Sequence, residues 1–164
     1  MSASFDSAHF RVVLGHVPTS VVVVTGLNAQ GTAFGLTIGS FASVSLDPPL
    51  VGFFPGVRSQ SWAAIRESGR FCVNVLGSHQ EEMCWHFAKE GDDKFAVIEW
   101  LPSAGGSPVL PGSIAWIDCE VDTETVMGDH TCVVGRVTSL DHAEEVENAM
   151  VFFLGKVSSV KHVG

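Results

Sequence analysis

The sequence predicts a mainly β protein, a closed or split antiparallel barrel carrying a few short helices. Three observations predict it. Apolar segments rich in β-branched residues recur along the chain, and Gly, Pro, Asn and Asp punctuate them at short intervals. The order is strands with helices inserted, without the regular strand-helix alternation that builds a parallel sheet. With 164 residues, 46% of them apolar, the chain suffices for one domain with a substantial core and is too short for two. Residues 1–164 are therefore read as a single domain, with no internal repeat or linker dividing them.

Taken in order, Asp6–Leu14 reads as an N-terminal helix with Phe10, Val13 and Leu14 turned inward. Ser20–Thr25 and Thr32–Thr37 are strands joined by a hairpin at Asn28-Ala-Gln-Gly31. Phe41–Ser45 and Leu50–Phe54 flank a turn at Asp47-Pro48-Pro49, where proline cannot donate to a ladder. A helix from Ser61 to Glu67, capped by Ser59 or Ser61 and ended by Gly69, leads to the strand Phe71–Leu76. Ser78 and Glu81 fit a capping box for a helix over Gln80–Ala88. Strands follow at Ile114–Val126, Thr131–Ser139 and Val151–Leu154, with Asp141–Asn148 between the last two as a short helix or a solvated loop.

Composition removes several function classes. A net charge of −9 repels phosphate backbones, which excludes nucleic acid as a partner. The acidity fits either plain solubility or an acidic docking surface. No apolar run nears the ~20 residues that span a bilayer, and Met1-Ser-Ala-Ser-Phe-Asp has neither a basic nor an apolar signal region, so a soluble, cytoplasmic protein is expected. Cys72, Cys84, Cys119 and Cys132 lie far apart with no Cys-x-x-Cys pair and are read as reduced. Cys84 and His86, two apart on a helix, point in different directions, and no metal site is expected. Rossmann, P-loop, zincin and serine-hydrolase signatures are all missing.

Three features remain that can carry chemistry. The tract from Gly35 to Leu50 is dominated by small and hydroxylated residues, among them Thr37, Gly39, Ser40, Ser43 and Ser45. Small side chains let a planar ligand approach the backbone, while hydroxyls and amides supply hydrogen bonds to its ring atoms. A Ser/Thr-rich hairpin with polar residues facing water reads the same tract. Arg58-Ser59-Gln60-Ser61-Trp62 opens a helix and suits a phosphate; helix capping alone accounts for the serines but not the arginine. Gly128-Asp129-His130 sits where two long strands must turn, either as an ordinary turn or as an imidazole at a cleft mouth.

Together these segments resemble the short-chain flavin reductase family, the reductase partners of two-component monooxygenases. The resemblance runs from Phe10-Arg11 and Pro18–Thr25 through Gly35-Leu-Thr37, Pro48-Pro49-Leu50 and Ser59–Ile65 to Ser68–Leu76. It continues in Phe87-Ala88, Lys94-Phe95, Pro108-Val-Leu110, Gly128-Asp129-His130 and Phe152-Phe153-x-Gly155. It implies a Greek-key split barrel of the FMN-binding type, with about six antiparallel strands, dimeric, holding flavin near the subunit interface. By that likeness Thr37, Gly39, Ser40, Ser43 and Ser45 contact the isoalloxazine and ribityl parts, and Arg58, Ser59 and Ser61 the phosphate. Phe87, Ala88 and Lys94 line the flavin or its adenylate extension, and His130 meets the nicotinamide. Gly39 stands where Ser, Ala or Asn is usual, and Gly155 leads into Lys156-Val157 where the family often has an aromatic.

The implied activity is NAD(P)H-dependent reduction of FMN or FAD, with NADH expected ahead of NADPH because no basic cluster lies near Gly128–His130. Reduced flavin then diffuses to a partner oxygenase. Two rivals predict different material: a flavoprotein that keeps its FMN and passes electrons onward, and a non-enzymatic flavin- or haem-binding barrel.

Overall fold

The computed structural model describes residues 4–91, 93–161 and 163. Helix α1 (Ser7–Leu14) is capped by Asp6, whose carboxylate accepts from the His9 amide at 2.8 Å. Strands β1 (Thr19–Ser20), β2 (Val22–Leu27), β3 (Ala33–Ile38), β4 (Ala42–Leu46) and β5 (Pro49–Phe53) follow. Helix α2 (Gln60–Ile65) starts at Ser59, whose hydroxyl accepts from the Trp62 amide, and a 3₁₀ turn carries it to Gly69, in the left-handed conformation. Then come β6 (Arg70–Val75), α3 (Glu81–Ala88), the small hairpin β7 (Leu101–Pro102) and β8 (Pro108–Val109), and the long hairpin β9 (Ala115–Met127) and β10 (His130–His142). A last pair, β11 (Ala149–Phe153) and β12 (Lys156–Val160), ends the described chain's regular structure.

Seven strands form the main antiparallel sheet in the order β3-β2-β6-β9-β10-β5-β4, and β1-β11-β12 form a second sheet. β3 and β4 are thus opposite edges, although only Gly39, Ser40 and Phe41 separate them in the chain. Four backbone steps reach at most about 14 Å, whereas seven strands laid flat put their edges about 29 Å apart. The sheet must therefore coil until its edges face one another, giving a barrel split along the β3/β4 seam. Ser40 ties the link down, its hydroxyl accepting from the Phe54 amide at 2.9 Å.

Inside the coil, Phe53, Trp62 and Phe71 meet edge to face with ring centroids 5.1 to 5.8 Å apart, surrounded by Val22, Val24, Ile65, Val73 and Val133. The outer face of the same sheet carries a second buried cluster of Val21, Val23, Leu76, Phe87, Leu110 and Met150, beneath α3 and β11. β2 is consequently buried on both faces, which is why Val21–Val24 is a continuous apolar run instead of an alternating one.

Two glycines hold space for this packing. A Cβ on Gly135, in β10, would lie 2.3 Å from the Phe71 ring, and one on Gly35, in β3, would lie 2.7 Å from the Phe87 ring. Beside Gly35, Lys94 donates to the carbonyls of Gly35 and Phe87, each at 3.1 Å, and to the Ser61 hydroxyl at 3.4 Å. One ammonium thereby joins β3, α2 and the end of α3. Burial pulls its pKa below the ordinary lysine range, partly opposed by the nearby Glu90 carboxylate.

The structure corrects or refines four expectations about elements. Helix α1 forms, but Phe10, Val13 and Leu14 are each about half exposed because, among the described residues, no element covers that face. Of the two readings of Asp141–Asn148, the exposed loop holds from Ala143 onward, while Asp141 and His142 extend β10 by pairing with Trp116 and Ala115. The box before α3 joins Gly77 and Gln80, whose side-chain oxygen accepts from the Gly77 amide at 3.1 Å, so Ser78 and Glu81 are not its members. The main sheet has seven strands, against about six expected, and β1, β7, β8, β11 and β12 lie outside it.

Adding a methyl group at Gly135 or Gly35 forces a buried ring to move, so Gly135→Ala and Gly35→Ala are each expected to cost about 1–3 kcal/mol. At roughly 2–4 °C per kcal/mol, thermal unfolding followed by circular dichroism should show both well below wild type, with Gly31→Ala, where nothing lies within 4 Å, as a backbone-strain control. Wild-type melting in the Gly135 variant would mean the ring has room to turn aside.

Candidate functional site

Beside the β3 edge and the link lies a cleft of about 870 Å³. Its floor is Leu36 to Ser40 of β3 and the link; one wall is the end of α3, Phe87 to Glu90, with Lys94 behind it. The opposite wall is Phe54-Pro55-Gly56 and His130, Ser59 and Ser61 lie at the α2 end, and Phe10 and Leu14 of α1 stand at the mouth.

An edge strand leaves one side of its backbone without a partner strand. The Gly35 carbonyl points to that side, toward Lys94, so by alternation along an antiparallel strand Thr37 presents both its N–H and its C=O there. A donor and an acceptor side by side are what the pyrimidine edge of a flavin or a similar heterocycle requires. The Thr37 hydroxyl is already used, donating to the Cys84 carbonyl at 2.7 Å, so the residue offers its main chain to the cleft. Gly39 lets the floor run close to Thr19, whose hydroxyl would lie 3.2 Å from an added Cβ.

His130 reaches the cleft through a tight turn. Gly128 takes φ of 64° at the first position of a two-residue hairpin loop, a conformation open to glycine. The hairpin tip is pinned to the 55–57 segment, the Val57 amide donating to the Asp129 carbonyl at 3.0 Å and the Thr131 amide to the Pro55 carbonyl at 2.9 Å. His130 Nδ1 lies 2.7 Å from Asp129 Oδ1. The hydrogen bond from His130, then its charge, hold the Asp129 carboxyl below the usual carboxylate range. An ionised carboxylate only accepts, so Nδ1 carries the proton, and in the neutral ring Nε2 is then free to accept.

A second cleft of about 570 Å³ adjoins the first and shares Gly56, Ser59, Glu90 and His130 with it, adding Val57, Arg58 and Asp129. Of the residues singled out in the sequence, Thr37, Gly39, Ser40, Ser59, Ser61, Phe87, Ala88, Lys94 and His130 line the first cleft, and Arg58 lines the second. Ser43 and Ser45 line neither: they lie past the link on β4, the far edge of the split sheet. α2 has six residues, too short for a strong dipole, and its Ser59 hydroxyl is spent on its own cap.

Sequence reasoning missed Phe10, Leu14, Pro55, Gly56 and Glu90. The Phe-Pro-Gly turn after β5 was a usable signal; the others reach the cleft only through the coil of the sheet. The buried thiols offer no alternative chemistry. Burial and the Asp118 charge push Cys119 up to about 12 and raise Cys72 further. Among the described residues no three His, Cys, Asp or Glu side chains group as metal ligands, and no helix is long and apolar enough to cross a membrane.

Comparison with known proteins agrees with this geometry. Residues 14–161 match the model of the flavin reductase like domain. The chain is 43% identical over 158 residues to the flavin-dependent monooxygenase reductase subunit HsaB of Rhodococcus jostii, covering 96% of this chain and 80% of that protein. It superposes with a TM-score of 0.90 on nitrilotriacetate monooxygenase component B from Mycobacterium thermoresistibile, at 42% identity, covering 95% of this chain and 87% of that one. The NADH:FAD oxidoreductase SgcE6 of Streptomyces globisporus superposes with a TM-score of 0.88 at 31% identity, covering 99% and 98%. A coiled sheet with an open seam, a Thr37 backbone bared to the cleft and a histidine at its rim thus occur in a chain that belongs to the flavin reductase family.

Proposed function

We propose that this protein reduces FMN or FAD with NADH and releases the reduced flavin to a partner oxygenase, and that the cleft beside β3 is where both nucleotides meet. The observation that carries this reading is the unpaired side of β3, with the Thr37 amide and carbonyl opening into a cleft of about 870 Å³. That volume suits a tricyclic ring with a second ring upon it. When both nucleotides are bound, the redox chemistry, hydride movement from nicotinamide C4 to flavin N5, is their own. The chain's task is to hold them in register.

Thr37, Gly39 and Ser40 form the floor under the flavin ring. Phe87 and Ala88 close one side, and Lys94 keeps that wall joined to β3 and α2. Ser59 and Ser61 stand at the ribityl and phosphate end, with Arg58 reaching from the adjoining cleft. His130, oriented by Asp129, accepts at Nε2 from the carboxamide N–H of the nicotinamide. The cleft is open to solvent, which supports flavin as an exchangeable substrate over flavin as a fixed group.

The same reading supplies a cover for α1. Phe10, Val13 and Leu14, with Val17, Trp85, Phe152 and Leu154, leave a half-exposed apolar surface beside the cleft. The patch is continuous: Leu154 donates to the Gly15 carbonyl at 2.9 Å, and Trp85 meets Phe152 edge to face. A patch of this kind on a small domain marks a partner surface, and a second copy of the chain is its proposed occupant.

Purified protein should oxidise NADH when FMN or FAD is added and carry flavin well below one per chain. A yellow protein with near-stoichiometric FMN would favour the flavoprotein rival, and background NADH oxidation with both flavins the non-enzymatic one. His130→Ala should raise KM for NADH roughly tenfold, the scale of one hydrogen bond with its packing, while the flavin dissociation constant changes little; an unmoved NADH KM would remove His130 from the site. In sedimentation equilibrium the wild type is expected as a dimer and Phe152→Asp as a monomer, whereas a wild-type monomer at micromolar concentration would leave the α1 face without its proposed cover.

A further inference from the structure

The second cleft carries two carboxylates that the flavin site does not use. Its lining carries one permanent cation, Arg58, against the carboxylates of Glu90 and Asp129. Lys94 and Arg11 stand near enough to Glu90 and Asp129 to interact with them through charge, but neither lines this cleft. Lys94 has its donors on Gly35, Phe87 and Ser61, and Lys89 lines the first cleft but not the second.

We propose that Glu90, on the rim shared by the two clefts, is a specificity residue that admits NADH and turns away NADPH by repelling the 2′-phosphate. The inference rests on the placement of nicotinamide against His130. With the first cleft filled by flavin, the ribose and diphosphate of a nucleotide held at His130 leave through the adjoining cleft, along Gly56 to Ser59, with Glu90 on the wall. A 2′-phosphate adds nearly two further negative charges in a space whose charged side chains other than Arg58 are both carboxylates. Asp129 is committed to His130 at 2.7 Å, which leaves Glu90, with Lys94 behind it, as the carboxylate facing the incoming nucleotide.

The test compares kcat/KM for NADH and NADPH, with FMN as acceptor, in wild type, Glu90→Gln and Glu90→Lys. Wild type should prefer NADH strongly. The preference ratio should move toward NADPH by about tenfold in Glu90→Gln, the scale of one partly screened charge pair, and further in Glu90→Lys, with the gain shrinking as salt is added. Competitive inhibition by 2′-AMP should strengthen relative to 5′-AMP in the same order, which a purely structural role for Glu90 would not produce. A wild type that uses both cofactors equally, or variants in which both kcat/KM values fall together with the ratio fixed, would overturn the proposal. If His130→Ala leaves the NADH KM unmoved, the nicotinamide placement itself fails; a raised KM with an unmoved ratio sinks only the role of Glu90.

Discussion

The three-residue link from Ile38 to Ala42 governs the rest of the molecule. It carries the chain from one edge of a seven-stranded sheet to the other, over a distance that a flat sheet does not allow. Coiling encloses the aromatic trio of Phe53, Trp62 and Phe71. It also brings two unpaired strand edges face to face without letting them join, because the link holds them by one end only. Exposed edges are normally a liability that proteins cover or pair. Here α2 and α3 pack against β3, and the cleft opens beside the stretch of that edge from Leu36 to Ser40.

Covering that edge has a structural cost, and Lys94 meets part of it. A half-buried ammonium with neutral acceptors is poorly solvated, which is why its pKa falls. Three oxygens from three elements compensate, and the result is a cross-brace that sets the width of the cleft at the α3 wall. Gly35 is the complementary feature. With no side chain it lets the Phe87 ring lie against β3, so the wall sits close enough for Lys94 to bridge. The two residues act together: ring contact without the brace leaves the wall free to swing, and the brace without the glycine does not fit.

How far the fold was legible in the sequence follows from how local each signal was. β2 and β3 around Asn28, the Ser59 cap, Gly69 and the Gly128 turn all depend on residues within a few positions of one another, and they formed near the expected places. The outward face of α1 was not legible, since periodicity reveals an apolar stripe but not what lies opposite it. β10 runs on to His142 because Ala115 and Trp116, distant in sequence, supply its ladder. Ser43 and Ser45 lie outside the two clefts for a related reason. In the sequence they continue the same small-residue tract as Thr37 to Ser40, yet the link places them on the opposite side of the split. Composition marks the whole tract alike; only the closure of the sheet says which part of it borders the cleft.

The absence of a conventional acid-base dyad fits the site's chemistry. When two nucleotides carry the reactive atoms, protein groups contribute chiefly by fixing distance and angle, and backbone does this better than long side chains because it has fewer rotatable bonds to order. That favours a bared β-strand edge as the floor and small residues along it. The Asp129–His130 pair extends the same economy to the rim. An acceptor-only carboxylate at 2.7 Å sets which ring nitrogen bears the proton, and the ladder contacts at Pro55 and Val57 fix where the hairpin tip sits. The hairpin so held fixes where the imidazole stands at the rim of the cleft.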